Sequence, residues 1–221
     1  MNTLLRLALF LLLMPASLAA QNIFTEGLKG RIPTVRLDFE NKNAVPASYQ
    51  ITIDATGDAE YFSRDEGSAE SDGLRRRFQV SKPTRDRIFE LTAALRQFRG
   101  DYEYRKHRVA FSGLKTFTYT EGFEEYRTSF NWSENKDATE LAAIFLGIAA
   151  TIQAETRLQH LRKYDKLGLD AQLKTMEQQA KSGFLKEIGV ISKVLSELKA
   201  DPSVMSMARN RADRLLKLAQ N

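Results

Sequence analysis

The chain has 221 residues, and its 33 lysines and arginines exceed its 28 aspartates and glutamates to give a formal net charge of +5. This length allows one sizeable domain or two small ones, and 43% hydrophobic with 28% charged residues is usual for a globular protein. The composition excludes a disordered chain, and the mild positive charge argues against a dedicated nucleic-acid binder. The chain contains no cysteine, which excludes disulfides, a lipid-modified cysteine anchor and cysteine metal sites.

The first 20 residues, "MNTLLRLALFLLLMPASLAA", have the order of a secretory signal peptide. Arg6 supplies a short positive region, an apolar run of eight residues follows, and small residues come after Pro15. The run is too short to span a bilayer, which needs ~20 apolar residues. We therefore predict that residues 1–20 are a signal peptide cleaved after Ala19 or Ala20, and that the protein is exported to the periplasm or secreted. The alternative is a buried N-terminal helix.

Alternating residues predict antiparallel strands in the next part of the chain. In "PTVRLDFEN", residues 33–41, apolar and polar residues alternate with the period of a half-buried strand. "YQITIDATGDAEYFS", residues 49–63, alternates on both sides of Gly57 and predicts a β-hairpin that bends there. The polar residues 64–73 are predicted as a loop, and "RRRFQVS", residues 75–81, as a further strand.

A helix and a second hairpin follow. The helix is predicted over residues 83–98, with Ser81 as its cap. Its apolar stripe consists of Ile88, Leu91, Leu95 and Phe98. "KTFTYTEGFEEYRTSFNW", residues 115–132, predicts a hairpin that turns at Gly122.

The period changes to helical at Asp137, which with Glu140 resembles a capping box. "LAAIFLGIAATI", residues 141–152, is apolar on nearly all sides, which predicts a core helix buried between the sheet and the C-terminal part of the chain. Twelve residues are too few to span a membrane. The sequence therefore predicts an α+β protein: an antiparallel sheet of hairpins with one packed helix over residues 21–152, followed by an all-helical C-terminal region over residues 153–221.

Glycine and proline divide this C-terminal region into its predicted helices. The helix from residue 141 is predicted to continue to Leu167 and to stop at Gly168. Further helices are predicted over residues 169–181, over residues 184–199, and from Pro202 to about Ala219, with Asp201 as the cap of the last one. The short joint at residues 200–201 predicts an antiparallel helical hairpin.

The order of these elements resembles that of small exported bacterial domains of unknown function. The segments that carry the resemblance are "YQITIDATGDAEYF", the helix from Pro83, "KTFTYTEG" and "FNWSENKDATEL", which span roughly residues 49–152. Some such domains have a cysteine-containing motif before the first strand, where this chain has "NKNAVPAS". The resemblance implies the fold and export, and it implies no activity and no site residues.

The positive charge is concentrated in the C-terminal helices. Residues 156–221 hold 13 lysines and arginines against 7 aspartates and glutamates, whereas residues 21–155 hold 19 against 21. Seven arginines between residues 74 and 100 are predicted to be solvated flanks of a strand and a helix, with acidic partners nearby. The better candidate for contacts with an anionic surface is the last helix. The predicted contact residues are Arg209, Arg211, Arg214 and Lys217.

The sequence predicts no catalytic residue, cofactor site or metal site. Neither His107 nor His160 has a second histidine or a carboxylate at metal-ligand spacing, and nucleophile, P-loop and dinucleotide-binding motifs are missing. The predicted function is that of an exported, non-catalytic binding or structural module that engages an envelope protein or an anionic envelope polymer. The alternative is a cell-envelope hydrolase with a dispersed site. We expect no nucleic-acid partner and no transmembrane helix in the mature chain. The sequence leaves the ligand and the oligomeric state open.

Overall fold

The structure is a computed structural model that describes residues 32–64 and 73–219. The predicted signal peptide lies outside the described residues. The strands are β1 (Thr34–Glu40), β2 (Ser48–Asp54), β3 (Asp58–Arg64), β4 (Leu74–Gln79), β5 (Leu114–Glu121) and β6 (Glu124–Phe130). The α-helices are α1 (Lys82–Ala94), α2 (Lys136–Tyr164), α3 (Gly168–Lys181), α4 (Ser192–Ala200) and α5 (Ser206–Leu218). Short 3₁₀ turns cover Arg96–Phe98 and Ile188–Ile191.

The six strands form one antiparallel sheet in the order β4-β3-β2-β1-β5-β6. Alternation places one face of each inner strand in the core, as β1 shows, where Leu37 is buried opposite Ile51 of β2 and Phe117 of β5. α1 and α2 pack on this buried face. The predicted α+β class, with a sheet of hairpins, a packed helix and a helical C-terminal region, is therefore confirmed.

Helix α1 starts where its sequence predicts and ends earlier. The hydroxyl of Ser81 accepts a hydrogen bond from the Thr84 backbone amide and caps the helix. The α-helix ends at Ala94, because Arg96, Gln97 and Phe98 adopt the left-handed region, with φ of 53°, 51° and 70°. The tight turn still buries Phe98, so the apolar spacing that predicted a longer helix is satisfied without α-helical geometry.

Helix α2 has 29 residues and is the longest element. The side chain of Asn135 accepts a hydrogen bond from the Ala138 amide, so the predicted cap at Asp137 is wrong and Asp137 lies in the first turn. The helix ends at Tyr164 rather than at Leu167. By length and composition α2 could cross a membrane, and 67% of its most apolar window is buried inside the protein. Such burial is typical of a core helix.

Two hydrophobic clusters meet along α2. One contains the inner face of the sheet, α1 and α2 as far as Ile152, and the other contains Ala154, Leu158 and the apolar faces of the later helices. The predicted boundary at residue 152 falls where these clusters meet, inside an uninterrupted helix. That the two parts are separate domains stays a prediction.

The C-terminal helices differ from their predicted bounds at two places. The predicted helix over residues 184–199 is shorter, because Glu187 has a left-handed φ of 55° and α4 begins only at Ser192. The last helix begins at Ser206 and not at Pro202. The carboxylate of Asp201 accepts a hydrogen bond from the backbone amide of Ser203 at 3.0 Å, and this turn occupies the predicted helix start.

Glu187 connects the helical region to the sheet. Its carboxylate accepts hydrogen bonds from the backbone amide of Ser81 at 2.9 Å, from the Ser81 hydroxyl at 2.7 Å and from the Thr84 hydroxyl. It therefore caps the N-terminus of α1 from the other part of the molecule. Nearby, Gly147 of α2 lets the chain approach closely, since a Cβ there would lie 2.4 Å from the Phe184 carbonyl oxygen.

Candidate contact surface on the C-terminal helices

Two of the predicted contact residues hold α5 against α3. Arg211 donates from Nε to Asp170 Oδ1 at 2.7 Å and from Nη1 to Glu177 Oε2 at 2.5 Å. Arg214 donates from Nε to the other oxygen of Glu177, also at 2.5 Å. The side chains of Arg211 and Glu177 are only 16% and 9% exposed. Both guanidinium groups are therefore paired within the fold, although the Arg214 side chain is 52% exposed.

Charge and burial act in opposite directions on Glu177. Burial raises the pKa of its carboxyl group, but hydrogen bonds from Arg214 and Arg211 outweigh burial, so the pKa lies below its ordinary value. The carboxylate is therefore ionised and paired at neutral pH. The cluster of Asp170, Glu177, Arg211 and Arg214 is an internal link between two helices.

The other two predicted residues have different surroundings. Lys217 binds Asp213 at 2.9 Å one turn earlier in α5, and Lys199 of α4 binds the same carboxylate at 2.6 Å. Hydrogen bonds from Lys199 and Lys217 lower the pKa of Asp213 to about 2. The Nε of Arg209 is buried and has no hydrogen-bond partner among the described residues. That these four cations contact an anionic ligand stays a prediction.

The helices bring a different set of side chains together at the end of the bundle that is remote from the sheet. We call this the distal end, where α2 and α4 end and α3 and α5 begin. Lys166 Nζ donates to the Ser203 hydroxyl, and Arg162 pairs with Glu197 and with Asp201. These contacts place the α2–α3 turn beside the α4–α5 loop.

Exposed apolar side chains project from these two connections. Tyr164 and Leu167 are 65% and 77% exposed, and Met205 and Met207 are 46% and 52% exposed. Lys163 lies among them, with its Nζ 4.9 Å from the centre of the Tyr164 ring. We define the distal patch as Lys163, Tyr164, Lys166, Leu167, Met205 and Met207.

Sequence reasoning missed this patch. It predicted that α2 would continue to Leu167 and that the last helix would start at Pro202, which would have placed Leu167 and Met205 inside helices rather than in the connections. A signal was present, because Tyr164, Leu167, Met205 and Met207 do not belong to the apolar stripes that predicted the core. An apolar residue outside such a stripe is a candidate for a contact surface.

Two of the described concavities contain a carboxylate that already has a partner in the fold. In the concavity between β4, α2 and α4, Glu155 is paired with Arg76 at 3.1 Å. In the concavity between α1 and the end of α5, Glu187 is occupied as the cap of α1. Within the described ranges no group of three or more His, Cys, Asp or Glu side chains is placed to hold a metal ion. The predicted lack of cofactor and metal stays a prediction.

Six of the seven arginines of residues 74–100 have acidic neighbours. Glu60 pairs with Arg75 and Arg77, Glu155 with Arg76, Asp86 with Arg85, Glu140 with Arg87, and Glu124 with Arg99. Their guanidinium groups are therefore largely compensated within the fold.

The chain matches no protein-family model and no curated protein.

Proposed function

We propose that this protein is an exported, non-catalytic binding module that contacts an anionic component of the cell envelope through the distal patch. The observation that carries the proposal is the combination of exposed apolar side chains with lysines on adjacent turns. Apolar side chains that are exposed near one another, as Tyr164 and Leu167 are at the end of α2, mark a candidate contact surface. The leader-like residues 1–20 support export.

Uncompensated charge on the helical region supports an anionic ligand. Among the described residues, seven of its cations make no ion pair within 4.0 Å: Arg157, Lys163, Lys174, Lys181, Lys186, Lys193 and Arg209. Long-range attraction would therefore orient the helical region towards a negative surface. The distal patch then makes the contact. The alternative hydrolase is less well supported, since Glu155 and Glu187, which line two of the concavities, are already paired or serve as a cap.

The test measures retention of the purified protein on polyglutamate beads over a salt series. We expect retention at low salt that declines as salt rises, because exposed charges are screened beyond ~10 Å at about 0.1 M. The double variant Lys163→Glu with Lys166→Glu should lose most of this retention. The matched control, Lys181→Glu with Lys193→Glu, changes the net charge equally and lies away from the distal end, so it should keep most of it.

Exposed charges typically contribute less than ~1 kcal/mol each, so the control variant should fold like the wild type. Lys166→Glu also removes the contact of Lys166 with Ser203, so unfolding curves of both variants accompany the retention measurement. N-terminal sequencing of the same protein, isolated from its own cells, should find residue 20 or 21 first. A wild-type protein that fails to bind at low salt, or an envelope fraction that lacks the protein, would contradict the proposal.

A further inference from the structure

We infer that the anionic component is the surface of a phospholipid bilayer, into which the apolar side chains of the distal patch insert. This inference rests on the proposed function and names its ligand. The four apolar members, Tyr164, Leu167, Met205 and Met207, come from two connections that the contact between Lys166 and Ser203 holds side by side. Because they belong to separate turns at the end of a bundle, they can enter the interface together while the helices stay in water.

The chemistry of the patch fits a phospholipid better than an anionic polymer. A polyanion offers charge but no apolar phase, so the Leu167 side chain, which is 77% exposed, would stay in water in such a complex. A phospholipid surface offers phosphate groups to the lysines and acyl chains to the apolar side chains. Lys163 directly precedes Tyr164, and Lys166 directly precedes Leu167. Lysine stems can lie along the apolar phase while their ammonium groups reach the phosphates.

The architecture leaves this end of the molecule free to meet a flat surface. α2 has 29 residues and is therefore about 43 Å long. Its first half packs in the sheet cluster, and its second half carries the distal end away from the sheet. The end of α2 at Tyr164 therefore lies beyond the part of the helix that packs on the sheet.

The experiment measures co-sedimentation of the purified protein with phosphatidylcholine vesicles, with and without phosphatidylglycerol. The apolar variant is Leu167→Ser with Met205→Ser. The control is Phe123→Ser, which removes an even more exposed apolar side chain from the β5–β6 turn. We expect the wild type and the control to bind only vesicles that contain phosphatidylglycerol. The apolar variant should bind these about tenfold more weakly, and should still bind polyglutamate beads like the wild type.

The outcomes separate this inference from the proposed function. If the apolar variant binds vesicles like the wild type while Lys163→Glu with Lys166→Glu loses both vesicles and beads, the bilayer is wrong and the anionic binding module stands. If the wild type binds neither, both are wrong. A dimer in solution that the apolar variant dissociates would also overturn the inference, because the distal patch would then be an interface between copies of the chain.

Discussion

Glu177 shows how one side chain of the helical region serves stability rather than binding. It is nearly buried and accepts hydrogen bonds from Arg211 and Arg214, which belong to another helix. Removing its charge leaves two guanidinium groups facing a neutral partner. We therefore expect Glu177→Gln to lower the free energy of unfolding by about 1–3 kcal/mol at neutral pH, as measured by urea denaturation.

The difference in unfolding free energy between the wild type and Glu177→Gln should depend on pH. Because folding lowers the pKa of Glu177 below its ordinary value of 4.5, the ionised carboxylate stabilises the fold above that pH. The stability difference between wild type and Glu177→Gln should shrink as pH falls below 4.5. Glu90→Gln removes an exposed ion pair with Arg87 and should cost less than ~1 kcal/mol. A difference that grows in acid would contradict this account.

The role of Arg211 could not be predicted from the sequence. Its position on a basic helix predicts an exposed contact residue, but its partners Asp170 and Glu177 lie 41 and 34 residues earlier in the chain. Only the packing of α5 on α3 brings them together. Charge counting finds a basic region correctly and does not tell which of its cations are occupied.

Among the elements, α2 carries the sharpest stability prediction. Ile148 is buried in the sheet cluster, and truncation to alanine should cost about 2–5 kcal/mol, measured by thermal or urea unfolding. Ile148→Lys should abolish soluble folding, because an unpaired charge would be buried. Phe123→Ala, in an exposed turn, is the control and should change little. A wild-type protein that needs detergent for extraction would contradict the assignment of α2 as a core helix.

The interior of each element could be predicted from the sequence, but several ends could not. The apolar period of residues 141–152 correctly predicted a core helix, because burial depends on side chains within the element. The chain around Glu187 is different. Glu187 has a left-handed backbone, and its carboxylate accepts a hydrogen bond from the amide of Ser81, a residue 106 positions away. A contact of that kind leaves no local pattern.

At the scale of the whole molecule, we expect one cooperative unfolding transition. Both clusters share α2, and Glu187 ties the helical region to α1. Leu173→Ala, in the helical cluster, should therefore lower the unfolding midpoint reported by Trp132, the single tryptophan, which packs edge-on against Tyr104 near the sheet. The exposed Leu167→Ala is the control. Separate transitions by fluorescence and by helical circular dichroism would show that the clusters unfold independently.

The fold class followed from the sequence because hairpins and amphipathic helices are local. The pairing of β1 with β5, which sets Val35 opposite Tyr119, has no local signal and decides the strand order. The distal patch depends likewise on how four helix ends meet. The sequence pattern therefore predicted the sheet and the helices of the molecule. The distal patch could not be predicted, because it depends on how those elements are arranged.

The position of β4 bears on whether the sheet can pair with the sheet of another molecule. β4 is an outermost strand, and its neighbour on the inner side is β3. Arg75 and Arg77 stand on it, and they share the single carboxylate of Glu60. If two molecules met along β4, their arginines would be brought close together, and repulsion would oppose growth of a continuous sheet. The arginine-rich segment thus opposes aggregation by edge-to-edge pairing of sheets.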